Sequence, residues 1–476
     1  MRRFISIGFL LLLLSLIISC GLIDTTKQVG EEVDNNESTP TISIIGDGPN
    51  TMELLKMEED EILRRFGVRL SYHYPERITE NLEDYLFNTN EKYDIYILFP
   101  VKIPLYVERG LIAPLDPYIS EPIDSDILPI YRNMFMSFDD HYYGMVYDGD
   151  SHLLFYRKDI FQRYNDEYKQ LYGVDLTPPQ NWSEYDRIAK FLTRDTDLDG
   201  KIDIHGTATL NGDGMRYIWF CSRFLSMGGS YFDEEMNPLI ESSIGLKALN
   251  DLVVLNNGSG VPPKSMFDWT DLNNVFLQGK VAMIIQWSDT GRFSYDEKSW
   301  GSKVSGKVDW DLVPGGLPNA PRGGVWLGRV LAISNEAADP EKAWQIIEYI
   351  TSKDVSKRGT TSYETGTDPF RYSHFTVDEN GPFPTEQDYK HFLTTVQKSL
   401  LNTNTDLIIP GSWEYMQSLD RNVGLALIQK LTPEEALRQT AEEWQDITNK
   451  YGRQQQKEYY GKWLEKLEKI RSEQQQ

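Results

Sequence analysis

The chain has 476 residues, of which 40% are hydrophobic, and a formal net charge of −24. That length suits two lobes rather than one, each large enough to bury its own core. So negative a surface repels phosphate backbones and anionic headgroups, which excludes nucleic acid as a partner and leaves membrane contact to an anchor.

Arg2 and Arg3 precede an apolar run from Phe9 to Ile18, too short for a stable membrane span but with the length and flanks of a secretory leader core. The run ends Ser19-Cys20, which resembles the lipobox of bacterial lipoproteins. The resemblance implies a lipoprotein signal peptide over residues 1–19 and acylation of Cys20, with attachment to the membrane through the lipid alone. Cys221, the other cysteine, then has no intrachain partner, so the exported fold rests on its core and not on a disulfide. Residues 20–40 carry Glu31, Glu32, Asp34 and Glu37 with little to bury and read as a flexible tether.

The folded body opens with a strand over Thr41–Ile45, a turn at Gly46-Asp47-Gly48-Pro49, and a helix from Met52 to Arg65. Further strands are expected at Val68–Tyr72, Tyr93–Leu98, Leu153–Tyr156, Val281–Gln286, Val308–Leu312 and Val330–Ser334. Helices are expected over Trp182–Thr193, Pro340–Thr351 and Tyr459–Arg471, the last with Trp463, Leu464, Leu467 and Ile470 on one face. Strands alternating with helices predict an α/β fold with largely parallel sheets.

Several segments, in order, resemble the family 1 extracellular solute-binding proteins, which include the maltose-binding type of receptor. They are Glu108-Arg109-Gly110-Leu111, Leu154-Phe155-Tyr156-Arg157-Lys158-Asp159, Pro179-Gln180-Asn181-Trp182, Met227-Gly228-Gly229, Phe276-Leu277-Gln278-Gly279-Lys280-Val281, Pro340-Glu341-Lys342-Ala343-Trp344 and Leu431-Thr432-Pro433-Glu434-Glu435-Ala436. The resemblance implies a class II periplasmic-binding-protein-like fold of two α/β lobes with a ligand cleft between them. One lobe would hold residues 41–147 and 333–375, the other 148–332 and 376–476, with crossings near Gly144–Gly149, Gly328–Ser334 and after Thr365–His374. It also implies a carbohydrate ligand captured by lobe closure, an ABC permease as partner, an extracytoplasmic location, a monomer, and no catalysis and no required cofactor.

A sugar presents hydroxyl edges and polarised C–H faces, so its cleft needs carboxylates, guanidiniums and flat rings. Trp287, with Asp289 beside it, stands where the maltose-binding family carries a stacking tryptophan; its other reading is a ring packed beneath the strand end. Asp47 follows the first strand, where α/β folds bring ligands to strand C-terminal ends, and reads equally as an Asp-Gly turn residue. Asp148 and Asp150 at the first crossing, and Trp326 and Arg329 at the second, are expected to meet across the cleft. Tyr217, Arg371 and Trp413 are further candidates.

Asp195-Thr196-Asp197-Leu198-Asp199-Gly200-Lys201-Ile202-Asp203 reproduces the start of an EF-hand-type loop. A structural calcium ion would take the side chains of Asp195, Asp197 and Asp199, the Lys201 carbonyl, and Asp203. The twelfth position is Gly206 in place of the bidentate glutamate, so a solvated acidic turn is the competing reading. Two other functions compete with sugar uptake: a secreted glycoside hydrolase using two carboxylates, and a sugar sensor reporting to a membrane kinase. Zinc-protease, serine-elbow and Walker patterns are missing from the sequence.

Overall fold

Every strand among the described residues belongs to one of two large sheets or to a small hairpin. The computed structural model describes residues 39–74, 82–88, 91–262, 267–317, 322, 324–325, 328–379, 381–402 and 404–474. The leader, Cys20, most of the tether and Trp326 lie outside the described residues. The strands are β1 (Thr41–Ile45), β2 (Arg69–His73), β3 (Ile95–Leu98), β4 (Ser137–Phe138), β5 (His141–Tyr142), β6 (Met145–Asp148), β7 (His152–Arg157), β8 (His205–Ala208), β9 (Val281–Trp287), β10 (Val308–Leu312) and β11 (Arg329–Ile333).

The first sheet has the order β2-β1-β3-β11-β6 and the second β10-β7-β9-β8, while β4 and β5 pair with each other. Both sheets and the helices around them lie in one compact unit, Pro40–Gln476. In the first sheet Ile95 and Ile97 enter one core with Ile42, Ile44, Leu331 and Ile333, while Tyr96 and Leu98 enter the opposite core with Ile45, Val330 and Ala332. Both faces are therefore covered, which is why these strands read as unbroken apolar runs. All seven residues of β9 are buried for the same reason, and the core of this second half is a single large cluster.

The parallel expectation holds only for part of the fold. β1 is parallel to β2 and β3, but β11 runs antiparallel to both β3 and β6. In the second sheet only β8 and β9 are parallel; β7 is antiparallel to β9 and β10. The exceptions β6 and β11 are the strands through which the chain passes between sheets, so no crossover helix fixes their direction. The strands β4, β5, β6 and β8, two to four residues long, lay outside the sequence reading.

The motif segments are largely punctuation. Asn181 caps the helix Trp182–Phe191 by accepting from the Glu184 N–H, and Thr432 with Glu435 forms a complete capping box at Pro433–Lys450. Gly279 takes φ of 75° to end the helix Trp269–Leu277 before β9, a conformation that favours glycine. The expected helix over residues 52–65 is instead a 3-10 turn Pro49–Met52 followed by helices Glu53–Met57 and Glu59–Phe66. At the break, buried Glu58 accepts from Tyr349 Oη at 2.5 Å and Arg358 Nη2 at 2.7 Å. In the last helix, Arg453–Gln474, the buried stripe is Tyr460, Trp463, Leu467 and Ile470, and Leu464 is exposed, one step of about 100° beyond Trp463.

Two glycines test how tightly the connection between sheets is packed. A Cβ on Gly149 would sit 2.2 Å from the Pro369 carbonyl oxygen, backbone against backbone, whereas one on Gly461 meets nothing within 4 Å. Gly149→Ala is expected to lower stability by about 1–3 kcal/mol and Gly461→Ala, inside a helix, to raise it by up to about 1 kcal/mol, both read by urea melts.

Candidate functional site

At the end of β1 the chain turns through Gly46-Asp47-Gly48, and at the end of β9 it turns through Ser288 into a short helix, Asp289–Phe293. Side chains from these two strand ends, one in each sheet, line one pocket. Its walls include Asp47, Asn50, Thr51, Tyr147, Asp148, Asp150 and Arg329 from the first sheet and the crossing, and Trp269, Trp287 and Asp289 from the second half. It encloses about 580 Å³, its open mouth included.

Arg329 holds the first wall together. Its Nε and Nη2 donate to the two oxygens of Asp47 at 3.0 and 2.9 Å, and Nη1 donates to Asp148 at 2.7 Å, with Asp150 3.6 Å away. The guanidinium also lies 4.8 Å from the Phe99 ring centre. Arg329 and Asp148 are paired in register on β11 and β6. They therefore meet as sheet neighbours and not across the cleft, since the two crossings lie side by side in the same sheet. Burial disfavours the charge on Arg329, but Asp47, Asp150 and Asp148 outweigh it and hold its pKa well above the ordinary value.

The crossing itself is strained and hydrogen-bonded. Asp150 has φ of 25° and Gly328 φ of 51°, and the Gly328 N–H donates to Asp150 at 3.0 Å. A non-glycine residue so placed persists only where its surroundings over-determine it. The Asp368 N–H donates to Asp148 at 2.8 Å, and Tyr131 Oη donates to the Gly149 carbonyl. The first connection between the sheets is thus bonded to each of the other two.

On the second wall, Trp287 is buried in the large core, as its packing reading expects, and also lines the pocket. His152 lies against its ring at 4.6 Å between centres, and Trp219 at 5.8 Å. Burial of His152 pulls its pKa down to about 3, so at neutral pH it is an uncharged packing group. Asp289 is buried, and burial followed by repulsion from Asp368 pushes its carboxyl pKa well up. Asp368 is likewise raised, to about 6, by burial, although Arg292 pairs with it at 3.2 Å.

Six of the expected residues, Asp47, Asp148, Asp150, Trp287, Asp289 and Arg329, converge on this pocket. Tyr217 and Trp413 line a neighbouring one of about 1030 Å³, open mouth included, which shares Asp47 and Met215 with the first. There Lys102, paired with Glu83 at 2.8 Å, lies 4.3 Å from the Trp413 ring centre. Arg371 is a correction: it lines neither pocket, because its guanidinium is spent on Asp124 at 2.7 Å and the Thr351 carbonyl at 2.7 Å. Trp269 and Tyr147 were missed. Trp269 follows the capping residue Asp268, which accepts from the Asp271 N–H, and that helix-start signal was the one available pointer to it.

The acidic loop places ligand oxygens of Asp195, Asp197 and Asp203 within 4.8 Å of one another. Asp199 lies outside that group, its carboxylate accepting from the Lys201 N–H at 2.8 Å, which departs from the expected ligand set. The missing twelfth-position glutamate has a steric cause: a Cβ on Gly206 would stand 1.7 Å from the Ala189 carbonyl oxygen.

Replacing Arg329 with Met leaves Asp47, Asp148 and Asp150 clustered without their shared cation. The expected loss at neutral pH is about 3–5 kcal/mol, read by urea melts. The sign of its pH dependence follows from the raised carboxyls of Asp148 and Asp150. Their native forms hold protons that the unfolded chain releases, so the variant recovers stability as pH falls from 7 towards 4.

Residues 87–357 match the family model described as bacterial extracellular solute-binding protein. A binding protein of Brucella abortus (strain 2308) is 23% identical over 251 residues, 52% of this chain and 56% of that one, so the match spans about half the length of this curated relative. Among solved structures, maltose-bound T. maritima MalE3 superposes with a TM-score of 0.71 at 20% identity, covering 86% of this chain and 99% of that one. An ABC transporter solute-binding protein from Agrobacterium radiobacter K84 in complex with ribitol gives 0.70 at 22% identity, covering 86% and 98%. With the family model matching more than half of its length, this chain belongs to the bacterial extracellular solute-binding protein family.

Proposed function

We propose that the protein is the extracytoplasmic receptor of an ABC importer, which captures a carbohydrate between the two halves of its fold and delivers it, unchanged, to a membrane permease. The observation that carries the reading is the pocket at the two strand ends, where carboxylates and a guanidinium for hydroxyl edges stand opposite Trp287 and Trp269 for sugar faces. Similarity to the maltose- and ribitol-bound proteins supports a polyhydroxylated ligand. In this reading the receptor works as a monomer, tethered through lipid on Cys20, and its residues 41–147 with 333–375 and 148–332 with 376–476 move as lobes. A ligand touching both lobes binds the closed arrangement more tightly, and that difference in affinity drives closure.

A thermal-shift screen of mono- and oligosaccharides tests it, since a ligand of the folded state raises Tm. At least one saccharide is expected to raise Tm and to be recovered intact; a cleaved product would point to a hydrolase instead. Trp287→Ala is expected to weaken that saccharide about tenfold or more by calorimetric titration.

The acidic loop belongs to the same proposal as a calcium site remote from the sugar, held by Asp195, Asp197 and Asp203. Calcium is expected to raise Tm relative to chelator in wild type and not in Asp197→Ala; equal curves in wild type would remove the ion.

A further inference from the structure

The pocket is unbalanced in charge. Among the described residues, Asp47, Asp148, Asp150 and Asp289 line it with one guanidinium, Arg329. Arg329 is fully committed to Asp47 and Asp148, with Asp150 near it. Arg292, at the base of the second wall, is equally committed, to Asp368 and to the carbonyls of Ser362, Thr365 and Thr367. Neither guanidinium forms an ion pair or hydrogen bond with Asp289, although Arg292, on the same short helix, attracts its charge. That carboxyl is 3% exposed, its Oδ1 has no hydrogen-bond partner among the described residues, and it forms no ion pair among them.

We propose that the saccharide taken by this cleft carries a protonated amine, seated against Asp289. The inference rests on the carbohydrate reading above and narrows it to a substrate class. A buried carboxylate oxygen left without a partner is relieved by either a proton or a cation. A sugar hydroxyl gives it one hydrogen bond and leaves the charge. An ammonium group gives charge-assisted hydrogen bonds and cancels the charge, worth roughly twice a neutral hydrogen bond. A uronate or a sugar phosphate adds negative charge to a site already in surplus and is repelled.

The surroundings agree. The titratable and charged groups facing Asp289 are Asp368 from the third connection, Asp148 from β6 and Arg292 from its own short helix, with Asp150 facing it from the crossing. Burial and mutual repulsion raise the carboxyls of Asp289 and Asp150 well above the ordinary range. An ammonium favours their ionised forms, so its binding releases protons and strengthens as pH rises through the raised range of these carboxyls, whereas a neutral sugar shows neither effect.

The test is calorimetric titration of the full-length chain with gluco, galacto and manno sugars, as monosaccharides and disaccharides. Each is supplied in four forms: 2-amino, 2-acetamido, parent and uronate. Titrations run in two buffers of different ionisation enthalpy. The amino form is expected to bind at least tenfold more tightly than its parent and its acetamido form, with proton release, and the uronate not to bind. Asp289→Asn is expected to bring the affinities of amino and parent forms within threefold of each other. Parent or acetamido forms binding as tightly as the amino form, or any uronate binding, would overturn the charge proposal and leave the carbohydrate reading standing. Failure of every sugar in the panel would remove both. The wild-type ranking decides the matter even if Asp289→Asn proves unstable.

Discussion

Three carboxylates share one guanidinium at the place where the chain passes from one sheet to the other, and the rest of the site depends on that arrangement. Asp47 fixes the turn after β1, Asp148 ends β6, and Asp150 begins the crossing; Arg329 opens the returning strand and holds all three. Because the pair Arg329–Asp148 is a rung of the first sheet, the charge cluster is part of the sheet and not an ornament on it. Such a buried cluster is weak evidence for stability, since charges of this kind rarely outperform apolar packing. Its retention in a protein with ample apolar core points to the pocket as its reason.

The second wall is built from different materials. Trp287 ends a fully buried strand, and uncharged His152 packs behind it. A ring held in this way has little rotamer freedom left to lose when a ligand covers it. Asp289 follows directly on the chain, so the flat face and the carboxyl are positioned by the same strand end. The two walls thus divide the work: one is a polar network tied to the crossings, the other a packed aromatic surface with a single acid beside it.

How much of this was legible in the sequence depends on the range of the forces involved. The strands β1, β3, β9 and β11 were readable because burial on both faces leaves apolar runs, and helix starts were readable because caps act over three residues. The family resemblance singled out Trp287, Asp148 and Arg329, which line one pocket. It did not reveal that Arg329 and Asp148 are sheet neighbours, because register is decided by strands far apart in sequence. Arg371 misled for the same reason: its partner Asp124 lies 247 residues away. Trp269 was invisible as a site residue, since a tryptophan at a helix start is as often core as cleft.

The account stands on capture between two halves of one molecule. Small-angle X-ray scattering of the protein, with and without the saccharide that raises its melting temperature, addresses this directly. A decrease in the radius of gyration on saturation, with the sugar recovered whole, is the outcome the account predicts. A saturated protein whose scattering curve is unchanged from the ligand-free one would contradict it.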